Sequence, residues 1–359
     1  MDGGAISKKP SVTSSQVATH AGVSQSAVSR AFTPGASISA KTRAKVLASA
    51  KALGYRPNAI ARSLITSRSR IIAVVMAYLE NLFYPDVLET LGRRLAAENY
   101  RVLLFTGSMD RNSDPVFEQL MQYRVDGIIL ASTSLSSQLS DECTAAGIPV
   151  VLFNRTTERN AASSVTTHNR RGGRLIAEFL VAGGHKRFGY ISGLESSSTN
   201  RDRFAGFREG LKEAGRETIE VRTGNYNHAD AEIAARELLS LKRRPHAIFV
   251  ANDHMAVAVM DVARHEFGLS IPDDLSIVGY DDVAAANWPS YGITSVTQPI
   301  SPMVEATVDI LMRQIASGEI EPQHRVITGE LVVRTSARLP RTGIVERDGV
   351  TLYRPAGTR

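Results

Sequence analysis

Residues 12–32 read VTSSQVATHAGVSQSAVSRAF, and this stretch decides the first part of the fold. Thr13 and Gln16 stand at the S/T-x-x-E/Q spacing of a capping box, so a helix is predicted to begin at Ser14 and run through Val17, Ala18 and Ala21. Gly22 ends it, because glycine takes the left-handed conformation that closes a helix, and Ser24 caps a second helix over Gln25 to Phe32. Val17, Ala21, Val23 and Val28 then form one small cluster, in which alanines let two short helices cross closely. Gln25, Ser26, Ser29 and Arg30 are left facing outward, which is the hydrogen-bonding surface a major-groove reader requires.

A third helix is predicted behind Ser39 as its N-cap, with Val46, Leu47, Ala50 and Leu53 on its inner face and Gly54 as its stop. Its Lys41, Arg43 and Lys45 suit phosphate contacts. Charge supports this reading. Residues 1–70 carry eleven Lys/Arg against one acid, Asp2, which concentrates +10 there and leaves −4 on the rest of a chain whose total is +6. A solvated surface usually mixes both signs, so a stretch nearly free of acids points to a polyanionic partner.

The segments VTSSQVATHAGVSQSAVSRAF and SAKTRAKVLASAKALGYRPNAIARSL, residues 12–32 and 39–64, closely resemble the headpiece of the lactose-repressor and galactose-repressor (LacI/GalR) family. Three elements recur in order: V-A-x-x-A-G-V-S, then V-S-R, then G-Y-x-P-N-x-x-A-x-x-L. The resemblance implies that Gln25, Ser26 and Arg30 read base edges, with Thr13, Ser14, Ser24 and Ser29 beside them on the DNA side. It also implies DNA contacts from the hinge at Asn58, Ala61 and Leu64. Asn58 can cap a short hinge helix, Ala59 to Leu64, and Leu64 matches a wedge that unstacks base pairs in the minor groove. So short a helix is not stable alone and is expected to order when two copies meet on DNA.

From residue 70 onward, short apolar runs alternate with helical periodicity. IIAVVM, RVLLFT, GIILAS and PVVLF make one series, and FGYISG, a strand near 219–223, AIFVAN and LSIVGY make a second. Helices are predicted near 85–98, 115–123, 171–183, 201–214, 229–241 and 254–267. The fold class is therefore α/β: an all-α helix-turn-helix headpiece followed by a two-lobed, periplasmic-binding-protein-like sensor with parallel sheets. The division read from the sequence is a disordered stretch over 1–10, headpiece over 11–56, hinge and linker over 57–69, sensor over 70–339 and a C-terminal tail over 340–359.

In such sheets ligands sit beyond the C-terminal ends of the strands. Those places hold Asn81, Phe83, Tyr84, Ser132, Asn154, Arg155, Arg203, Tyr226, Asn252, Asp253, Asp281 and Asp282. The resemblance extends through GHKRFGYISG, NRDRFAGF, ANDHMAVAVM and IPDDLSIVGYDD and stops near Pro340. It implies that Phe83, Tyr84 and Tyr226 wall the cleft while Arg203, Asn252 and Asp281 supply its polar partners. Aromatic faces among amides and carboxylates suit a sugar or a nucleobase. Asp253 and Asp282 read equally well as helix caps or as ligand contacts. His168, with Arg155 and Arg203, would make the cleft positive enough for an anionic sugar derivative, or Arg155 and His168 point into solvent or pair with nearby acids.

Enzymes are disfavoured, since the chain contains no phosphate-binding glycine loop, no H-E-x-x-H and no nucleophile motif. No cofactor or metal is expected. The longest apolar run, Ile71 to Leu79, is too short to cross a bilayer, and the basic N-terminus lacks the apolar stretch of a secretory signal. A cytoplasmic location is expected by default. A periplasmic sugar-binding protein is the alternative, and it would have no use for the basic headpiece. Cys143 reads as a structural thiol. The region 341–359 lacks leucine heptads, so the expected partners are a second copy in a homodimer, a palindromic double-stranded operator and a small effector, with no membrane.

Overall fold

Thr13 opens the first helix, α1 (Ser14–Ala21), with the capping box its spacing predicts. Its side chain accepts from the Gln16 N–H at 3.3 Å, and the Gln16 carboxamide accepts from the Thr13 N–H at 2.8 Å. Gly22 follows at φ 61°, and Ser24 caps α2 (Gln25–Ala31) through the Ala27 N–H. Ser39 caps α3 (Ala40–Leu53). The computed structural model describes residues 12–33, 35–56, 68–76, 79–106, 120, 122–131, 142–157 and 161–355. The expected disordered N-terminus, the hinge helix, the helix at 115–119 and the contacts of Asn58, Ala61, Leu64 and Ser132 lie outside the described residues.

Val17, Ala18, Ala21, Val28, Ala31, Val46 and Ala50 form the headpiece core. Leu47 departs from expectation, with 44% of its surface exposed. One residue is 100° of helix, so with Val46 and Ala50 facing inward Leu47 is carried off the buried stripe, and Ser49 is buried instead. Arg43 departs as well. Its guanidinium donates to the carbonyls of Ala31 and Ala36, at 2.8 and 3.4 Å, and braces the end of α2.

The chain divides into two units, Met1–Ser69 and Arg70–Arg359. Among the described residues of the second, a six-stranded parallel sheet has the order β11-β5-β4-β3-β1-β2. It is built from β1 (Ile71–Met76), β2 (Arg101–Thr106), β3 (Gly127–Ala131), β4 (Val150–Phe153), β5 (Ser163–Thr167) and β11 (His324–Ile327). A second sheet has the order β13-β14-β12-β10-β9-β8-β6-β7. Its parallel part comprises β6 (Phe188–Ser192), β7 (Ile219–Thr223), β8 (Ala247–Val250), β9 (Ser276–Asp281) and β10 (Thr294–Thr297). The helices α4 (Phe83–Ala97), α5 (Asn169–Ala182), α6 (Ser198–Glu213), α7 (His228–Leu239), α8 (Asp253–Asp261) and α9 (Ile300–Ser317) complete the unit. The helix expected through 267 continues past α8 as a π-helical turn, Val262–Glu266.

The lobes are not sequential halves. After β10 the chain returns to the first lobe, where α9 packs Met303, Val304, Val308 and Leu311 into the core of β1, β3 and β4 before β11 joins the sheet edge. It then re-enters the second lobe at β12 (Leu331–Val332). Neither SSVTT nor HRVI carries an apolar run, which is why β5 and β11 have no strand signal.

The segment read as a C-terminal tail is also part of the second sheet. β13 (Ile344–Arg347) and β14 (Val350–Tyr353) form an antiparallel hairpin on β12, closed by Asp348-Gly349 with both residues at positive φ. Asp-Gly favours this tight hairpin turn, and Tyr353 anchors it edge-on to Phe179 at 5.2 Å.

Candidate ligand cleft and DNA-reading surface

The loops at the C-terminal ends of the strands bring most of the expected polar residues together. Asn154, Tyr226 and Asp281 lie there at φ 59°, 58° and 109°, conformations that non-glycine residues hold only where the surroundings impose them. These three positions lie at or just past the ends of β4, β7 and β9.

Arg203, on α6, is the most constrained of these residues. It is 2% exposed and donates to Asn169 Oδ1 at 2.9 Å, to the Ala251 carbonyl at 2.5 Å and to Asp281 Oδ1 at 3.3 Å, while its guanidinium lies 3.6 Å from the Tyr280 ring centroid. Asp281 accepts from Gln298 at 2.6 Å, and Gln298 in turn accepts from the Thr167 hydroxyl at 3.2 Å. Burial raises the Asp281 pKa above the usual carboxylate range, and the Arg203 charge opposes that rise.

The two lobes also touch directly. Asn81 lowers the Asp281 pKa from across the cleft, Thr156 N–H donates to Ser198 Oγ at 3.1 Å, and Arg155 Nη1 donates to Ser197 Oγ at 2.5 Å and to Thr199 Oγ1. Tyr226 meets Thr199 at 3.1 Å. Tyr84 sits among Arg155, Asp281, Asn154 and Tyr226, and burial raises the pKa of its hydroxyl while Arg155 opposes. Phe83 is placed differently. It is stacked on Phe153 within the first-lobe core, 1% exposed, and supports Tyr84 edge-on from beneath.

Asn252 caps α8, accepting from the Met255 N–H at 3.0 Å, and its Nδ2 is buried without a partner. Asn154 Oδ1 is likewise buried and unpartnered. Asp253 is neither the cap nor exposed. Its carboxylate accepts from the Ser295 hydroxyl and the Val283 N–H, so it ties α8 to the ends of β9 and β10, and burial pushes its pKa well up. Asp282 pairs with Arg334 at 2.7 Å. His168 is exposed. Cys143 is buried, and burial pushes its thiol to about 11.

Asn169, Gln298, Ser197 and Thr199 belong to this network and have no counterpart among the expected site residues. Asn169 and Gln298 do follow strands, so the end-of-strand rule finds them once SSVTT and TSVT are recognised as strands. Their Ser/Thr content hides that periodicity.

On the headpiece, Gln25, Ser26, Ser29 and Arg30 are exposed as expected, opposite the buried Ala27, Val28 and Ala31. Gln25 Nε2 donates to Ser14 Oγ at 2.8 Å. Among the described residues Arg30 holds two long contacts to Ser26, at 3.4 and 3.5 Å, which leaves its guanidinium easily redirected. Among the described residues no helix is long and apolar enough to cross a membrane, and no group of three His, Cys, Asp or Glu could hold a metal ion.

Two family profiles match the chain: "Bacterial regulatory proteins, lacI family" over residues 15–58 and "Periplasmic binding protein-like domain" over residues 177–337. The ribose operon repressor of Escherichia coli K12 is 31% identical over 331 residues, covering 90% of this chain and 99% of that protein. The transcriptional repressor PurR of Vibrio campbellii is 29% identical over 326 residues, covering 90% and 97%. Among solved structures, the lac repressor dimer bound to operator and the anti-inducer ONPF superposes with a TM-score of 0.80 at 28% identity, covering 91% of this chain and 99% of that one.

Proposed function

The chain belongs to the LacI family of bacterial regulatory proteins, and from that premise we propose that it is a cytoplasmic, homodimeric repressor whose grip on an operator is set by a small ligand held between two lobes. One observation carries this reading. A helix with one face buried presents Gln25, Ser26, Ser29 and Arg30 to solvent from a strongly basic unit of the same chain that closes two α/β lobes around Arg203 and Asp281. The reading assigns no catalysis to the cleft, in keeping with relatives that are repressors rather than enzymes.

Residues 11–56 read the major groove, residues 57–69 link them to the sensor, and the sensor, whose second sheet runs on through the hairpin of residues 344–353, holds the ligand and dimerises. Two-fold symmetry makes the operator roughly palindromic. A ligand touching both lobes favours one lobe orientation, and that preference separates the paired hinges and withdraws the Leu64 wedge. Binding free energies are linked, so a ligand that lowers operator affinity by some factor has its own affinity lowered by operator by the same factor.

The test is calorimetric titration of the ligand, with and without operator duplex, for the parent and for Leu64→Ala. A ligand affinity that falls in the presence of operator, with the effect diminished in Leu64→Ala, supports the mechanism. Equal affinities in the parent overturn it.

A further inference from the structure

The cleft buries two guanidinium groups, and their surroundings differ. Arg203 faces the Asp281 carboxylate. Arg155 is 8% exposed and, among the described residues, has only neutral partners: the hydroxyls of Ser197 and Thr199 and the ring of Tyr226, whose centroid lies 5.8 Å from the guanidinium carbon. A cation taken from water without a counter-charge is costly to hold.

Its position makes that cost greater. Ser197 is the N-cap of α6 (Ser198–Glu213), and the N-terminal end of a sixteen-residue helix carries a partial positive charge. Arg155 therefore extends from the first lobe to the positive end of a helix in the second. Two positive groups converge where an anion would relieve both. Beside them Asn154, 4% exposed, has no donor to its Oδ1 among the described residues, and at the end of β8 Asn252, 1% exposed, has no acceptor for its Nδ2. Hydroxyl groups can serve as both donor and acceptor to such atoms. Tyr84 and Tyr226 add ring faces.

We propose that the ligand is an anionic sugar derivative whose carboxylate or phosphate meets the Arg155 guanidinium beside the N-terminal end of α6, with Asn154 and Asn252 meeting its hydroxyls. This rests on the reading of the interlobe cleft as the effector site. Arg155 is then the residue that sets specificity for charge, while the Arg203 and Asp281 pair is neutral in sum and holds the frame. A planar fork of donors suits either anion in two-pronged fashion.

The experiment uses the full chain and matched probes: galactose against galacturonate, glucose against glucuronate, and ribose and glucose against their 5- and 6-phosphates. Thermal shift and calorimetry are expected to show stabilisation by an acid or a phosphate and little by its neutral counterpart, and the two anionic arms separate carboxylate from phosphate. Arg155→Met is expected to weaken that binding by 100-fold or more without lowering the melting temperature of the unliganded chain, since it removes an uncompensated cation and keeps the stem. Arg155→Lys keeps the charge and loses less. Stabilisation by neutral members alone, no stabilisation by any member, or an anion bound equally well by Arg155→Met and the parent overturns the proposal. A neutral sugar that weakens operator binding would leave the sensor reading intact and remove only the anion. An Arg155-dependent anion that leaves operator affinity unchanged would support the ligand class and remove only the coupling.

Discussion

Arg203 Nη2 lies 3.3 Å from Asp281 Oδ1, with the side chains 2% and 3% exposed, so the two charges that centre the second lobe are held almost entirely out of water. Removing one member of such a pair leaves the other buried and unpaired, and that is far more costly than exchanging both for apolar groups.

Arg203→Ala is therefore expected to destabilise the sensor by about 3–5 kcal/mol and to abolish the response to ligand. Three donors are lost at once, to Asn169, Ala251 and Asp281. Urea denaturation of the full chain measures the first effect, and a variant as stable as the parent would show that Asp281 finds other partners.

α5 and α6 cross closely enough that glycine is required between them. A Cβ at Gly206 would overlap the Arg170 carbonyl oxygen, and one at Gly173 would overlap the carbonyl of Arg203 itself. Backbone cannot swing aside as a long side chain can, so Gly206→Ala must separate the helices. The expected cost is at least about 1–3 kcal/mol, with weaker ligand binding because α6 carries Arg203. Thermal melting and calorimetry of Gly206→Ala check this, and unchanged values in both would mean that the crossing is loose.

His185, on the turn after α5, is 3% exposed, and neither ring nitrogen has a partner among the described residues. Burial, reinforced by the charges of Arg338 and His246, lowers its pKa to about 4. An unfolded histidine titrates near 6.5, at about which pH the unfolded chain gains a proton that the folded one refuses. The resulting stability is complete above about pH 6.5 and is lost as pH falls toward 4, by about 2–3 kcal/mol from this one group. His185→Leu fills a similar space without titrating and should flatten that part of the profile. Parallel stability curves for variant and parent between pH 7 and 4 would assign the acid sensitivity elsewhere.

Arg30 is exposed on α2 and, among the described residues, is held by long contacts to Ser26. Arg30→Ala is expected to lower the preference for operator over scrambled duplex by about 1–3 kcal/mol, the size of a lost bidentate base contact, while leaving the salt-dependent phosphate attraction largely in place. Competition binding at fixed salt reads that ratio, and an unchanged ratio removes Arg30 from base readout.

Local chemistry alone determined where the headpiece helices start and stop. Thr13, Gly22, Ser24 and Ser39 act on backbone groups within a turn of themselves, so their effect is written in short spacings, and the structure has each cap where the spacing puts it. The apolar runs likewise announced most parallel strands, because strands buried on both faces must be apolar throughout. Tertiary structure decided the rest. The return of α9 and β11 to the first lobe, the hairpin of residues 344–353 on the second sheet, and the partners of Arg155 and Asp253 all join positions far apart in the chain. Whether a buried charge meets a carboxylate, as Arg203 does, or only hydroxyls, as Arg155 does, depends on which loops the two sheets bring face to face. No periodicity in the sequence records that arrangement, because the energy of a buried ion is set by its neighbours in space.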